Sequence, residues 1–435
     1  MKITVIGAGY VGLVSAVCFA ELGNKVLCVE KSSSKLDELS RGMSPIQEPG
    51  LTEILDKNLE EGRIRFSDSI KEGVDFSKVI FICVGTPQSE NGMADLSQVE
   101  EVSRQIAMHM GEYKLIIEKS TVPVKTHELI RRTIKRYARE DLEFDVASNP
   151  EFLREGFAVY DFMNPDRIVI GVESKRAVEI FQEIYQPFTE NGNTLFVTKT
   201  SAAEIIKYAS NSFLAIKISY INMLADLAEK VGVDVDMIAE GVGRDKRIGR
   251  DFLNAGIGYG GSCLPKDVNA FIHMAENYGL DFGLLKETEK INLNRRKQFL
   301  EKVEKLLWIN RDKKIAVWGL AFKANTDDVR DAPSLGIVKG LLETGAQLCL
   351  YDPEAMENFK TIFSESKKLN YVEDKYDALH ESEALLVLTE WDEFKEADLK
   401  RIKELMKLPI VVDGRNIFNR DKMESEGFEY HGMGR

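Results

Sequence analysis

The sequence predicts an α/β protein with two doubly wound, Rossmann-like domains joined by a long central helix. Three observations carry that expectation. Short β-branched runs alternate with helical patterns from Lys2 to Thr200 and again from Lys314 onward. A glycine-rich turn follows the first run and opens the first helix. Between the two alternations lies a single helical pattern of about 30 residues, roughly 45 Å long.

The first run, Lys2-Ile3-Thr4-Val5-Ile6, is β-branched at four of five positions and suits a buried parallel strand. Gly7-Ala8-Gly9-Tyr10-Val11-Gly12 follows, then an apolar helical pattern from Val11 to Leu22 with Gly23 as C-cap. A second strand, Lys25 to Val29, ends in Glu30, 18 residues after Gly12. That context makes the glycine pattern a dinucleotide site. Gly7 makes the turn, Gly9 admits a pyrophosphate, Gly12 lets helix pack on strand, and the helix N-terminus stabilises the phosphate charge. Glu30 would accept hydrogen bonds from a ribose, which points to NAD.

Further strands are expected at Val79 to Val84, Leu115 to Glu118, Phe144 to Ala147, Ile168 to Ile170 and Leu195 to Val197. A parallel sheet presents its ligand-binding loops at the strand carboxyl ends. Those loops are Gly85-Thr86-Pro87, Ser120-Thr121-Val122-Pro123 and Asn149-Pro150-Glu151-Phe152-Leu153-Arg154-Glu155. After Thr200, Ser201-Ala202-Ala203-Glu204 has the form of a capping box. Apolar residues then recur at Ile206, Ala209, Phe213, Ile216, Tyr220, Met223 and Leu227 up to Gly232. Lys207 and Asn211 share one face of that helix; by themselves they read as a solvated polar pair. The second alternation has strands at Lys314 to Trp318, Leu348 to Tyr351, Ala384 to Leu388 and Ile410 to Val412. Only Gly319 stands in its first turn, so no second dinucleotide is expected. Lys323, Arg330 and Arg415 sit near strand ends, where they could meet phosphates; as isolated cations they read as surface residues.

Gly258-Tyr259-Gly260-Gly261-Ser262-Cys263-Leu264-Pro265-Lys266-Asp267 sets a cysteine in a glycine-rich turn, with a lysine and a carboxylate following. A thiol beside cations can ionise and act as a nucleophile. The other cysteines, Cys18, Cys28, Cys83 and Cys349, lie in apolar patterns and read as core. Five widely spaced cysteines form no disulfide framework and fit the cytoplasm. The five histidines lack metal-ligand spacing, so no metal is expected. No apolar run reaches the roughly 18–20 residues of a membrane span, and the N-terminal strand is no secretory signal. A net charge of −13 disfavours nucleic acid as a partner. At 435 residues, 44% hydrophobic, the chain can bury several cores.

These motifs resemble the UDP-glucose/GDP-mannose dehydrogenase family essentially end to end. The carriers are GAGYVG at 7–12, VGTP at 84–87, STVP at 120–123, NPEFLREG at 149–156, EIIKYASNSF at 204–213, FLNAGIGYGGSCLPKD at 252–267 and GLAFKANTDDVRDAP at 319–333. The resemblance implies an NAD-binding domain at 1–200, a dimerising helical region with the cysteine loop at 201–300, and a UDP-sugar domain at 301–435. It also implies a four-electron oxidation of UDP-glucose to UDP-glucuronate by two NAD, through a Cys263 thiohemiacetal and thioester. Lys207 would stabilise the oxyanion and Asn211 would donate to the same oxygen or position a water. Asp267, or Glu151 by way of Thr121, would orient or deprotonate that water; the residues leave the choice open. NAD would meet Gly7, Gly9, Val11, Gly12, Glu30, Lys35, Thr86, Thr121, Glu155, Lys266 and Arg330. The sugar nucleotide would meet Glu151, Phe152, Leu153, Arg154, Glu155, Lys207, Asn211, Phe252, Leu253, Asn254, Ala255, Gly256, Gly260 and Lys323. Arg247 would reach into the partner's site of a homodimer. GDP-mannose or a UDP-N-acetylhexosamine as substrate, and a non-catalytic nucleotide sensor on the same fold, are the alternatives.

Overall fold

The computed structural model describes residues 1–87, 94–190, 192 and 194–435. The chain divides into two compact units, Met1–Ser210 and Asn211–Arg435. The expected central helix is observed as Thr200–Val231, and the division falls within it. Gly232, at φ 72°, follows its end.

The first unit holds strands β1 (Lys2–Ile6), β2 (Lys25–Val29), β3 (Ile64–Ser67), β4 (Val79–Ile82), β5 (Lys114–Glu118), β6 (Phe144–Ser148), β7 (Arg167–Gly171) and β8 (Thr194–Thr198). They form one sheet in the order β3-β2-β1-β4-β5-β6-β7-β8. The chain reverses its winding between β1 and β4, which sets the loops after those strands side by side. Both faces of the sheet are covered, as parallel sheets require. Ile3, Val5, Phe81 and Ile117 pack with the helix Tyr10–Glu21 and with Phe162, Phe181 and Tyr185. Ile6, Leu27, Ile80 and Ile116 face the other way, onto Val102, Ile106, Ile130 and Ile134.

Two expectations need correction here. The strands do not all run parallel: β7 pairs antiparallel with β6, and β8 runs with β7. The connection from β6 to β7 holds only the six-residue helix Ala158–Met163. Such a helix spans about 9 Å, half of a strand of roughly 17 Å, so no full-length crossover helix covers the sheet here, and β7 doubles back. Nor is Ser201–Glu204 a capping box. The helix already starts at Thr200, and Glu204 instead accepts the Lys125 and His127 amides at 2.7 and 3.1 Å. It thereby fixes the start of the helix Thr126–Tyr137, just after the Thr121 loop.

In the second unit, β9 (Lys314–Trp318), β10 (Gln347–Tyr351), β11 (Leu369–Tyr371), β12 (Ala384–Val387), β13 (Ile410–Asp413) and β14 (Glu429–His431) form a parallel sheet ordered β11-β10-β9-β12-β13-β14. Ile315, Val317 and Leu386 face a core closed by Phe299 and Val303 of the helix Gly283–Leu307. Trp318, Leu385 and Val411 face Phe394 and Phe428. The two doubly wound sheets and the long helix match the expected fold class.

Candidate active site

The loop after β1 is built as a cradle. Gly7 has φ 104°, and a Cβ there would lie 2.6 Å from the Cys83 carbonyl oxygen. A Cβ on Gly12 would collide with the Gly7 carbonyl oxygen and press on Cys83 Cβ. Gly9 is the N-cap of the helix Tyr10–Glu21; no side chain caps that end, and no atom lies within 4 Å of where a Cβ would sit. Open space before an uncapped helix N-terminus fits a pyrophosphate. Glu30, at the end of β2, is buried. Its carboxylate accepts the Ala8 and Ser32 amides, each at 3.0 Å, which leaves lone pairs for ribose hydroxyls. Thr86 donates to the Thr121 carbonyl at 2.9 Å, joining the loops after β4 and β5. Val11 and Lys35 are half-buried and Glu155 is buried. Glu30→Ala is expected to weaken NAD binding about tenfold or more and sugar-nucleotide binding far less; titrating each ligand into the variant checks this.

The loop after β6 carries an ion pair. Glu151 Oε1 lies 2.6 Å from Lys207 Nζ, with both side chains 5% exposed. The Leu153 amide donates to Glu151 Oε2 at 2.6 Å. Burial works to raise the Glu151 carboxyl, but the Lys207 ammonium, the Leu153 amide and Lys119 outweigh it and hold it below the ordinary carboxylate value. The Lys207 ammonium also faces the Phe152 ring. Arg154 pairs with Asp161 at the surface. Lys207 and Asn211 are therefore no solvated pair: both are buried, and each has its own carboxylate.

Beside these, Glu118 ends β5 with both oxygens buried and without a hydrogen bond. Burial pushes its carboxyl up to about 8, with the Glu204 carboxylate adding. A carboxyl raised on folding binds its proton more tightly in the native state, so its contribution to stability falls as pH rises from about 4.5 toward 8. Glu118→Gln is expected to remove that loss, which urea denaturation at pH 5 and pH 8 measures.

In the second unit, Asn211 donates to Asp267 Oδ2 at 2.6 Å and Lys266 to Oδ1 at 2.6 Å. Asp267 is buried in the first turn of the helix Leu264–Asn277. Cys263 is the N-cap of that helix and is half-buried, whereas the other four cysteines are buried. A sulfur at a helix N-terminus is favoured as thiolate. Burial pushes the Cys18 and Cys83 thiols up to about 12 and Cys28 higher still, so those stay protonated and inert.

The cysteine loop is held by its backbone. Asn292 clasps Tyr259 twice, accepting its amide at 2.8 Å and donating to its carbonyl at 3.1 Å. Arg295 donates to the Gly256 carbonyl at 3.1 Å, and the Gly261 amide donates to the Arg330 carbonyl at 2.9 Å. Arg415 joins three carbonyls, of Leu388, Gly258 and Phe322, at 3.0, 3.0 and 2.8 Å. It is thus a structural clamp and no surface cation. A Cβ on Gly260 would strike the Asp331 carbonyl oxygen. Phe252 (φ 63°) and Asp331 (φ 49°) are held in the left-handed region, a strain that folds concentrate at functional sites. Leu253, Ala255 and Gly256 are buried, while Asn254 is exposed and accepts from Arg250 at 2.7 Å.

Other expected site residues have partners close in sequence. The exposed Arg330 side chain pairs with Asp328, and the exposed Arg247 with Asp245. Lys323 lies over Phe322. After β9 the chain fills its own anion site: the buried Asp352 carboxylate accepts the Leu320 and Ala321 amides at 2.6 and 3.1 Å. A second pyrophosphate would meet that charge. Among the described residues, no group of three or more His, Cys, Asp and Glu could hold a metal ion, and no helix is long and apolar enough to cross a membrane. The sequence reading missed Glu48, Lys119, Asn292 and Arg295. Lys119 is buried and bonds Asn149 Oδ1 at 3.2 Å; a lysine between the apolar run of β5 and the Thr121 loop was the available signal.

A glycine cradle at the switch point of a doubly wound sheet, with a carboxylate ending the neighbouring strand, defines a dinucleotide-binding α/β protein, here with a half-buried cysteine in a glycine-rich loop of its second half. Family models narrow that class. The NAD binding domain, central domain and UDP binding domain of the UDP-glucose/GDP-mannose dehydrogenase family match residues 1–189, 201–294 and 316–420. The chain belongs to this family, is an enzyme, and uses NAD. It is 46% identical over all of both chains to the UDP-glucose 6-dehydrogenase of Rhizobium meliloti (strain 1021). It is 45% identical to the UDP-glucose 6-dehydrogenase TuaD of Bacillus subtilis (strain 168), covering 100% of this chain and 93% of that one. The solved UDP-glucose dehydrogenase from the archaeon Pyrobaculum islandicum superposes with a TM-score of 0.92 at 39% identity, over 100% of this chain and 97% of that one.

Proposed function

We propose that the chain oxidises UDP-glucose to UDP-glucuronate, with Cys263 as covalent nucleophile. The observation that carries this reading is a half-buried thiol at a helix N-terminus, with Asp267 in the turn that follows and Asn211 of the long helix donating to it. NAD, when bound, accepts the hydride in each of the two oxidation steps. The C6 alcohol loses a hydride and a proton to become an aldehyde. The Cys263 thiolate then adds to the aldehyde carbon and the oxygen takes up a proton, giving a thiohemiacetal. Loss of a second hydride and the hydroxyl proton leaves a thioester. Water attacks the thioester carbon, the carbon–sulfur bond breaks, and Cys263 returns as thiolate beside a carboxylate. Lys207 stabilises the oxygen as charge develops, a role suited to a buried ammonium. Asn211, oriented by Asp267, donates to the same oxygen. Asp267 or Glu151, by way of Thr121, activates the water.

NAD is bound by residues 1–200, including Gly7, Gly9, Glu30, Thr86 and Glu155. The nucleophile lies in 201–300 and the UDP-sugar domain in 301–435. A homodimer is supported by the long helix, where Phe213, Tyr220 and Leu227, seven residues apart, are 62%, 53% and 55% exposed. Such a seam is the pattern of a helix that packs on another. Arg247, paired with Asp245 and with its side chain 89% exposed, would reach toward a partner by leaving that surface pair, which is worth about 0–1 kcal/mol. Five cysteines, none of them in a disulfide, suit the cytoplasm.

The test is a panel of UDP-glucose, GDP-mannose and UDP-N-acetylhexosamines, scored by NADH formed per sugar nucleotide consumed. Two NADH with UDP-glucose alone is the expected result. Two NADH with another member of the panel would replace the substrate, and none with any would leave a nucleotide-binding protein without this chemistry.

A further inference from the structure

Residues 149–157, between β6 and the helix Ala158–Met163, have no regular structure, yet they carry Glu151 and Glu155. Long-range side-chain bonds must therefore fix them. At the start, Asn149 donates to the Val169 carbonyl at 2.9 Å, and Tyr185 donates to Asn149 Oδ1 at 2.6 Å. Lys207 then holds Glu151.

At the far end stands Glu48, a buried carboxylate from the Ile46-Gln47-Glu48-Pro49-Gly50 stretch. Its Oε2 accepts the Gly156 amide at 2.7 Å and its Oε1 the Ala158 amide at 2.7 Å. Phe157, the N-cap of the helix Ala158–Met163, supplies no side-chain cap, so Glu48 serves that end. Tyr10 donates its hydroxyl to the same Oε2 and accepts the Gly156 amide at 2.9 Å. Tyr10 is the first residue of the helix that opens from the glycine cradle. One carboxylate thus joins the dinucleotide helix, the Gly156 turn (φ 78°) and the helix beyond it. Charge-assisted bonds to a carboxylate are the stronger kind.

We propose that Glu48 is a positioning residue, a latch that keeps the 149–157 loop, and with it Glu151 and Glu155, in register with the dinucleotide cradle. The catalytic part of this inference rests on the proposed oxidation of UDP-glucose; the latch itself does not. Glu48→Gln keeps the shape but has one acceptor oxygen, so an amide or the Tyr10 hydroxyl meets an NH2 group. Two measurements are compared with wild type: kcat/KM for NAD, and the rate of trypsin cleavage after Arg154, whose side chain is 54% exposed. The expected result is a kcat/KM lower by about 10–100-fold, the range of one charged hydrogen bond. Cleavage after Arg154 should be faster by a similar factor, with the thermal midpoint nearly unchanged. Wild-type values for both would overturn the proposal. If Glu48→Gln fails to fold, Tyr10→Phe carries the test: a raised KM for NAD with faster cleavage supports the latch, and unchanged values overturn it. Because cleavage needs no substrate, a protein inactive on UDP-glucose would sink the functional reading and leave the latch standing or falling by the protease.

Discussion

Cys263→Ala forms no acid: turnover of UDP-glucose falls by about 1000-fold or more, while NAD binds as before. The reason is chemical. An aldehyde has no good hydride to give until a nucleophile makes its carbon tetrahedral. Cys263 is the half-buried thiol; burial keeps the other four thiols out of reach. Alanine deletes only the half-buried sulfur, and the loop is held by Asn292, Arg295 and Arg415 through backbone groups, so the fold should survive. NADH production and NAD titration together check the result. Cys263→Ser should also be slow, since an alkoxide is far harder to form than a thiolate. A variant that makes acid at the wild-type rate would remove the thioester.

Lys207→Met has the second large effect, on stability as well as rate. It leaves Glu151 buried with its strongest partner gone, and breaking a buried pair from one side costs about 3–5 kcal/mol. The pH dependence reverses as well. In the wild type the Glu151 carboxyl lies below its ordinary value. Its stabilisation is therefore present above the unfolded pKa of about 4.3 and lost as pH falls through the lower folded value. Without Lys207, burial dominates and the folded carboxyl lies above the ordinary value. The variant should then lose stability as pH rises from about 4.3 toward neutrality, relative to wild type. Denaturant unfolding at pH 4.5, 6 and 7.5 measures the slopes. Equal slopes would mean that Lys207 does not hold the Glu151 charge.

Much of this architecture is written locally. The run Lys2–Ile6, the glycines at 7, 9 and 12, and Glu30 lie close in sequence, and each meets the others through elements of fixed period. The strands missed, β3, β11 and β14, have three or four residues at or near sheet edges, too short for a pattern to emerge. The reversed β7 was hidden because strand direction depends on the connecting helix, not on the strand's own residues. Glu204 was misread because its partners, Lys125 and His127, lie far away in sequence. The same holds for the site. Glu151 and Lys207 were named separately, but their pairing is a product of folding. Arg415 looked like a lone surface cation, and only the folded chain brings the Gly258, Phe322 and Leu388 carbonyls to it. Glu48 and Asn292 bond to distant partners in the same way, and their neighbours in sequence give no hint of it; Lys119 stands out only by its place between an apolar run and the Thr121 loop.

The most direct measurement of the central claim is mass spectrometry of enzyme acid-quenched during a single turnover with UDP-glucose and NAD. The account predicts a transient acyl adduct on the peptide that contains Cys263, decaying as free acid appears. Acid accumulating while that peptide stays unmodified, or an adduct on a different residue, would contradict it.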